Sequence, residues 1–309
     1  MRKLLLFLIT IILFISCDNI VPIANIDPYK NPGTNYFNTD LTEIDGKPIP
    51  EKDDFTALLI SDTHFGKNKP GTYFKTTEFE QFINDNNIKN NIDIVINLGD
   101  VSDNSQQEQF DSYKEWSNSV FGSIPVINVI GNHDNRNGGV ERFLKTVAGT
   151  DSTYYCFTLS DIHFYVVDSA FRTLGRQQLN YLMDTLSKDN NSKKIVLTHI
   201  PLYGSVTNFY ASFADEKERN YLLSNFSKYG VDLLLTGHKH VPESYKAYTD
   251  SFSEIVVNGF HGEDFRQGKP SFYLCTYTRN TSEFKIECYS CAKDSSEFEL
   301  VSSHSYTLK

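Results

Sequence analysis

The stretch FTALLISDTH, residues 55–64, decides the fold of this chain. An apolar run over residues 55–60 ends abruptly in the polar sequence SDTH. Two further stretches have the same form, IDIVINLGD at 92–100 and VINVIGNHD at 126–134. Short continuous apolar runs are typical of strands that are buried on both faces. Each stretch therefore predicts a buried strand that leads directly into a polar turn.

Further strands and two amphipathic helices are predicted along the rest of the chain. The predicted strands cover residues 163–168, 194–198, 231–236 and 254–258, and a C-terminal hairpin covers 271–278 and 283–289. One helix is indicated by apolar residues at helical spacing, namely Leu179, Leu182, Met183 and Leu186. A second is predicted from Asp215, with Glu218 placed for a capping box, to Gly230. This alternation predicts an α/β fold with helices outside the sheets.

The charge composition limits the classes of partner. The 309 residues include 29 basic and 39 acidic side chains, for a formal net charge of −10. Such a chain lacks the clustered Lys and Arg with which a broadly basic surface binds nucleic acid. An anionic substrate held through bound metal remains compatible with this charge.

The N-terminus has the form of an export signal. Arg2 and Lys3 precede an apolar run over residues 4–15, which is shorter than the roughly 20 residues that span a membrane. We therefore expect a signal peptide over residues 1–16. Cys17 resembles the lipidated cysteine of bacterial lipoproteins, although Phe14 stands where that pattern prefers Leu. The expectation is an exported protein, periplasmic or on the outer cell surface, lipid-anchored to a bacterial membrane through Cys17. Plain secretion and an uncleaved anchor are the alternatives.

The next segment is predicted to be a tether. Residues 17–54 lack helix or strand periodicity and carry five of the ten prolines, Pro22, Pro28, Pro32, Pro48 and Pro50. The sequence from residue 55 to residue 309 is then expected to form a single domain with a strand-rich C-terminal part.

Polar residues with metal-binding chemistry follow the predicted strands. They are Asp62 and His64, Asp100, Asn132 and His133, His199, and His238 and His240. In open α/β sheets, ligands bind at the edge formed by the C-terminal ends of the strands. Residues i and i+2 of an extended segment face the same side, so one ion can take both Asp62 and His64, and His238 and His240 repeat this spacing. Carboxylate, imidazole and amide ligands together suit Mn, Fe, Zn or similar ions. His163 and His304 are interpreted as structural.

The order of these motifs resembles a known superfamily. Asp62-x-His64, Gly99-Asp100-x-x-Asp103, Gly131-Asn132-His133-Asp134, His199 and Gly237-His238-x-His240 are similar to the motifs of the calcineurin-like metallophosphoesterases. The similarity spans residues 55–262. It implies two packed mixed β-sheets flanked by helices, a four-layer sandwich with a dinuclear metal site on one edge.

The resemblance also implies roles for individual residues. One ion would take Asp62, His64, Asp100 and His240, and the other would take Asp100, Asn132, His199 and His238. His133 would stand beside the leaving-group oxygen, Asp103 would orient it, and Asp134 would hold the loop. Purple acid phosphatases have Tyr where this chain has Asp103, which argues against a tyrosinate-bound ferric centre.

The function implied is hydrolysis of phosphate mono- or diesters by a hydroxide that bridges two divalent ions. The expected partner is a small phosphorylated substrate, chosen by loops that include Lys67, Lys69 and Arg136. The alternative is a catalytically silent, metal-binding surface scaffold or adhesin. The oligomeric state stays open. So does the pairing of Cys156, Cys275, Cys288 and Cys291, of which Cys288-x-x-Cys291 alone is a weak zinc signal.

Overall fold

The computed structural model describes residues 34–191, 193–203, 211–241, 244–250 and 252–309. The predicted signal peptide over residues 1–16, Cys17 and the first half of the predicted tether lie outside these residues. Within them, no helix is both long enough and apolar enough to cross a membrane.

Two six-stranded sheets form the centre of the fold. In chain order, the strands are β1 (Glu43–Ile44), β2 (Lys47–Pro48), β3 (Phe55–Ile60), β4 (Thr72–Phe74), β5 (Ile94–Asn97), β6 (Val126–Asn128), β7 (Tyr155–Leu159), β8 (Ile162–Val167), β9 (Lys193–Thr198), β10 (Leu233–Thr236), β11 (Ser244–Thr249), β12 (Phe252–Val256), β13 (His261–Glu263), β14 (Ser271–Thr278), β15 (Glu283–Cys291) and β16 (Phe298–Thr307). One sheet has the order β16-β15-β14-β3-β5-β6 and the other β11-β12-β10-β9-β8-β7. Strands β1 with β2 and β4 with β13 form two small two-stranded sheets.

Both large sheets mix parallel and antiparallel pairs. In the first, β3, β5 and β6 are parallel, whereas β14, β15 and β16 add antiparallel strands beside β3. In the second, β8, β9, β10 and β12 are parallel, and β7 and β11 are antiparallel edge strands. The predicted fold class, two mixed sheets flanked by helices, is confirmed. Each predicted strand is present within two residues of its expected bounds.

The two sheets pack face to face through one apolar core. Leu59 and Ile96 of the first sheet belong to the same buried cluster as Phe164 and Leu197 of the second. The alternate residues of these strands face outward and are covered by helices. This two-sided burial explains why the strand sequences are apolar throughout instead of alternating.

The helices cover the outer faces of the sheets. They are α1 (Thr76–Asp85), α2 (Gln107–Phe121), α3 (Gly139–Phe143), α4 (Gly175–Lys188) and α5 (Glu216–Lys228), with 3-10 turns at Lys89–Asn91, Arg136–Gly138 and Arg279–Thr281 and a π-turn at Leu144–Ala148. Phe79 of α1 and Phe121 of α2 pack with Leu58 on the first sheet. Leu182 of α4 and Phe226 of α5 belong to the cluster that covers the second sheet. The result is the expected four-layer arrangement.

Helix α5 begins where the sequence predicted, but with a different cap. Asp215 accepts a hydrogen bond from the backbone N–H of Lys217 at 2.8 Å. Glu218 does not return to Asp215 as a capping box requires. Its buried carboxyl group instead accepts a hydrogen bond from the backbone N–H of Leu174 at 2.8 Å. This long-range contact ties α5 to the start of α4.

The predicted tether is wrong for residues 34–54. Phe37, Ile44 and Ile49 are 1, 0 and 7% exposed and belong to the two apolar clusters beside the second sheet and between the sheets. The backbone N–H of Leu41 donates to the carbonyl of Cys156 at 2.9 Å. This segment lacks periodicity because it packs as an irregular strap with isolated apolar anchors, and the tether prediction now concerns residues 17–33 alone.

The four cysteines that the structure describes are buried thiols. Cys156, Cys275, Cys288 and Cys291 form no disulfide with one another. Neither Cys288 nor Cys291 belongs to a group of described residues that could hold a metal ion. The weak zinc signal in Cys288-x-x-Cys291 therefore finds no support in the geometry.

An ion-pair cluster holds the strap against the second sheet. His163 on β8 contacts Asp40 through Nε2 at 2.9 Å and Asp189 through Nδ1 at 2.8 Å. Burial lowers the pKa of His163, but the hydrogen bonds to Asp189 and Asp40 outweigh it and raise the pKa to about 11. The hydrogen bond from His163 lowers the pKa of Asp40 to about 2. His163 is thus a charged structural link between three parts of the chain.

We predict that His163→Gln lowers the free energy of unfolding by about 1–3 kcal/mol near pH 5.5, because two carboxylates lose a charged partner. The folded-state pKa of His163 exceeds the ordinary value of 6.5. Its contribution is therefore full below pH 6.5 and is lost as the pH rises towards 11. The contribution of Asp40, whose pKa is lowered from 3.8, is full above about pH 4 and is lost as the pH falls towards 2.

Urea unfolding of both proteins at pH 5.5 and pH 10 measures this difference. Lys188→Gln, which removes an exposed ion pair with Asp184, is the control and should change the free energy by less than about 0.5 kcal/mol at either pH. A His163→Gln effect that is equal at both pH values contradicts a charged His163.

Candidate metal centre

Five strand ends meet at one edge of the two sheets. Asp62 and His64 follow β3, Asp100 follows β5, Asn132 and His133 follow β6, His199 follows β9, and His238 and His240 follow β10. Because β3, β5 and β6 are parallel in one sheet, and β9 and β10 in the other, their C-terminal ends lie on a shared edge. The structure therefore brings the predicted residues to one place.

The backbone at these strand ends is not extended, contrary to the expectation for the two i, i+2 pairs. The φ angles are positive at five of the polar residues: 55° at Asp62, 45° at His64, 53° at Asp100, 74° at His238 and 51° at His240. Non-glycine residues held in the left-handed region cost about 1–3 kcal/mol each and occur preferentially at functional sites. The side chains converge through tight turns that the surrounding chain enforces.

The first donor cluster contains Asp62, His64, Asp100 and His240, which lie close enough to share one metal ion. Nε2 of His240 lies 2.8 Å from Oδ1 of Asp62 and 3.0 Å from Nε2 of His64. Nε2 of His64 lies 3.7 Å from Oδ2 of Asp100. All four side chains are buried. This cluster has the composition that the resemblance implied for the first ion.

The second donor cluster contains Asp100, His199 and His238. Nε2 of His199 lies 3.2 Å from Oδ2 of Asp100, and the rings of His199 and His238 are 5.1 Å apart. Asn132, the fourth residue implied for this ion, has its amide oxygen buried without a hydrogen-bond partner. Asp100 is the residue that the two clusters share.

Several atoms of the two clusters have no hydrogen-bond partner although they are buried. Within the described residues they include Oδ2 of Asp100, Oδ1 of Asn132 and Nε2 of His199. A buried polar atom without a partner costs about 1–3 kcal/mol. The second oxygens of both carboxylates, by contrast, are satisfied: Oδ2 of Asp62 accepts from the backbone N–H of His238 at 2.9 Å, and Oδ1 of Asp100 accepts from that of His133 at 2.7 Å. A cation bound between the two clusters would be coordinated by these unpartnered atoms.

The ionisation of the site fits a cation as well. Burial raises the pKa of Asp100, but His199 outweighs it and lowers the pKa to about 2. Burial lowers the pKa of His199, but Asp100 and Asp62 raise it to about 9. Burial lowers the pKa of His238 to about 3, which leaves its ring nitrogens neutral. A divalent ion held by these carboxylates and ring nitrogens would supply the positive charge that the buried Asp62 and Asp100 require.

The histidines are oriented through their second ring nitrogens. Nδ1 of His199 donates to the carbonyl of Leu98 at 2.8 Å, so Nε2 points at Asp100. Nδ1 of His240 lies 3.3 Å from Oε1 of Glu263. Such outer contacts are the usual means by which proteins fix histidine ligands of metals.

His133 and Asp103 lie beside the clusters, but not in the predicted arrangement. Nδ1 of His133 lies 2.6 Å from the backbone carbonyl of Asp103, so the main chain orients the ring. The Asp103 carboxylate is 3.7 Å from that nitrogen and 3.6 Å from Nδ1 of His64, both beyond hydrogen-bond distance. Asp103 thus keeps a place next to His133 while its side chain lies between two imidazoles.

Asp134 and two glycines fix the loops that carry Asp100 and Asn132. Asp134 is buried and accepts hydrogen bonds from the backbone N–H groups of Val101, Ser102 and Gly131 at 2.9–3.2 Å. A Cβ at Gly131 would lie 2.1 Å from Oδ1 of Asp100, and Gly99 has a φ of +102°. A side chain at Gly131 would therefore displace Asp100, and a Cβ at Gly99 would lie 2.8 Å from Nδ1 of His199.

Two functional candidates, His261 and Glu263, were not identified from the sequence, and Lys67, named there only as a loop residue, contacts both of them. Nδ1 of His261 lies 2.7 Å from the carbonyl of Asp62, and its Nε2 lies 2.8 Å from Nζ of Lys67. Glu263 contacts His261 at 3.1 Å and Lys67 at 2.5 Å, in addition to His240. His261 could have been identified from its position, because it follows the predicted strand over residues 254–258, as the other histidines follow theirs.

Comparisons with known proteins agree with this site. A family model described as calcineurin-like phosphoesterase matches residues 55–242, more than half of the chain. A probable glycerophosphodiester phosphodiesterase, GpdQ, of Arcobacter nitrofigilis is 25% identical over 156 residues, which cover 47% of this chain and 56% of that protein. The match thus spans little more than half the length of this relative.

A solved structure supports the fold. GAP50, the anchor in the inner membrane complex of Plasmodium, matches with a TM-score of 0.58 and 18% identity, over 84% of this chain and 90% of that chain. The resemblance inferred from the five motifs is confirmed by the family match. The chain belongs to the calcineurin-like phosphoesterase family.

Proposed function

We propose that this protein hydrolyses phosphate esters at two divalent metal ions held side by side at the strand ends. The observation that carries this proposal is the membership of Asp100 in both donor clusters. Oδ2 of Asp100 lies near a histidine of each cluster, His64 and His199, whereas the remaining donors divide between the clusters. The relation to a family of phosphoesterases supplies the reaction class.

The donor sets assign residues to each ion. Asp62, His64, Asp100 and His240 would hold the first, and Asp100, Asn132, His199 and His238 the second. When bound, paired divalent ions act as Lewis acids towards phosphoryl oxygens and lower the pKa of water to about 7 in favourable cases. Oxygen and nitrogen donors of this kind suit Mn, Fe or Zn.

The protein's own residues supply charge and orientation. Two ionised carboxylates neutralise only half the charge of two dications, so the edge becomes locally positive in a chain of net charge −10. This sign attracts a phosphate ester. His133, partly exposed beside the clusters and fixed by the carbonyl of Asp103, is placed to contact the ester oxygens. We assign it to the leaving-group side, as a hydrogen-bonding partner and not as a metal ligand.

Phosphodiesters are the first substrate class that we propose. The support is the similarity to a probable glycerophosphodiester phosphodiesterase. The competing function is a catalytically silent metal-binding scaffold, which the fold likeness to an anchor protein favours. Against the scaffold, all seven proposed ligands are present and meet at one edge.

The test uses manganese-loaded protein with bis(p-nitrophenyl) phosphate and p-nitrophenyl phosphate. We predict hydrolysis of the diester, and that His133→Ala lowers kcat by about 10²–10⁴-fold while manganese content stays near that of the wild type. Asp100→Asn should lose metal and activity together, because it weakens both donor clusters.

Wild-type protein that binds manganese but hydrolyses neither ester supports the scaffold and contradicts the proposal. Hydrolysis of the monoester alone would leave the metal chemistry in place but overturn the proposed substrate class.

Glu263 is proposed as a positioning residue for His240. Its Oε1 faces Nδ1 of His240, and Lys67 balances its charge within the same buried group. A carboxylate in this place fixes the ring and makes the other nitrogen a better ligand.

We predict that Glu263→Gln weakens manganese binding by about 10–100-fold, with much of the activity recovered at saturating metal. Calorimetric titration of metal-free protein with Mn²⁺ measures the change. Glu287→Gln is the matched control, since Glu287 is similarly shielded and pairs with Lys285 on β15. Equal manganese affinity for wild type and Glu263→Gln would remove this role.

Export and lipid anchoring are further proposals, supported by the sequence of residues 1–17 alone. A lipid on Cys17 would hold the catalytic domain near a membrane surface. Intact mass of the protein purified from the membrane fraction tests this: we predict a chain that begins at Cys17 and carries acyl mass. A mature chain without acyl mass contradicts the anchor but not export.

A further inference from the structure

Arg136 lies at the open side of the metal centre, in the 3-10 turn that follows the loop of Asn132 and His133. Its side chain is exposed. Nη2 lies 2.8 Å from Nε2 of His133, and Nη1 donates to the carbonyl of Asp103 at 3.2 Å. The guanidinium is therefore held beside the imidazole that faces the proposed substrate.

The chemistry of the two groups fixes which one donates. A guanidinium has five N–H donors and no acceptor. Nε2 of His133 must then accept from Arg136, which places the ring hydrogen on Nδ1, where it donates to the carbonyl of Asp103 at 2.6 Å. In this resting arrangement both ring nitrogens of His133 are engaged, and the outermost N–H groups at the site belong to Arg136, which His133 and the Asp103 carbonyl hold in position. Nε2 of His133 faces the leaving-group oxygen, as proposed above, once Arg136 has turned to the substrate.

Arg136 is also a cation without a counter-charge. Within the described part of the chain it forms no ion pair, and its two contacts are uncharged acceptors. Lys67, by contrast, pairs with Glu263. Arg142 also contacts only uncharged groups, the backbone carbonyls of Ser105 and Asn137, but it does not contact His133. A planar guanidinium with free donors is the side chain best suited to bind phosphate oxygens in pairs.

We infer that Arg136 is a substrate-binding residue that takes a non-bridging oxygen of the phosphate ester, with His133 as its positioning partner. This inference rests on the proposed function. The Arg136 guanidinium would add a second positive charge to that of the metal ions, and it would contact the substrate from the exposed side of the site. A purely structural Arg136, which only closes the turn onto the Asp103 loop, is the alternative.

The experiment compares wild type, Arg136→Ala and Arg136→Lys, all loaded with manganese. Binding of inorganic phosphate is measured by calorimetry, and KM and kcat are measured with bis(p-nitrophenyl) phosphate. We expect Arg136→Ala to weaken phosphate binding and raise KM by about tenfold or more, with kcat within about threefold and unchanged manganese content. Arg136→Lys keeps the charge but not the fork, so it should fall between the two.

Arg279→Ala is the matched control. Arg279 is an exposed arginine that pairs with Asp53. It follows β14, whose residue Tyr277 pairs with Phe55 at the start of β3. Arg279 therefore lies at the end of β3 opposite the metal centre. The Arg279→Ala variant should bind inorganic phosphate with the same affinity as wild type. Melting temperatures of the Arg136 variants close to that of wild type confirm that the turn stays folded.

Unchanged phosphate affinity in Arg136→Ala overturns the inference, and so does a loss of kcat alone. Wild-type protein that hydrolyses neither ester contradicts the proposed function instead. In that case an Arg136-dependent loss of phosphate binding still supports the assignment of Arg136, because binding requires no turnover.

Discussion

Two carboxylates buried side by side constrain the rest of this structure. Asp62 and Asp100 are 0 and 1% exposed, and removing such charges from water is costly unless nearby groups compensate. Backbone N–H groups of His238 and His133 satisfy one oxygen of each carboxylate. The other oxygens face imidazoles, and that of Asp100 lacks a hydrogen bond. The site is thus organised around two buried negative charges that a bound cation would stabilise.

The fold maintains this arrangement against local preference. Five of the proposed ligands have left-handed backbone, and such strain persists only where the surroundings over-determine the conformation. The surroundings here are cross-loop hydrogen bonds, such as Asp62 N–H to Gly99 and His64 N–H to Asp100, and the Asp134 carboxylate that binds three backbone N–H groups. Local strain at each turn is offset by the packing of two sheets behind it.

The sequence predicts the buried strands well, and it also predicts that the polar residues after them meet at one edge, because both depend on local order. Apolar runs identify β3, β5 and β9, and a polar residue directly after such a run lies at the sheet edge. Edge strands were missed: β11 and β16 are mostly exposed and carry no apolar run. The strap over residues 34–54 was misread, and Glu263 was missed, because their contacts depend on residues more than 20 positions away. Long-range packing leaves no periodic signal.

The proposed reaction depends on Asp100 being shared by two divalent ions. Anomalous diffraction from crystals of the manganese-loaded protein, recorded near the manganese edge, tests it most directly. We predict two anomalous peaks on either side of the Asp100 carboxylate, one beside Asp62, His64 and His240 and the other beside Asn132, His199 and His238. A single peak, or peaks away from Asp100, would contradict it.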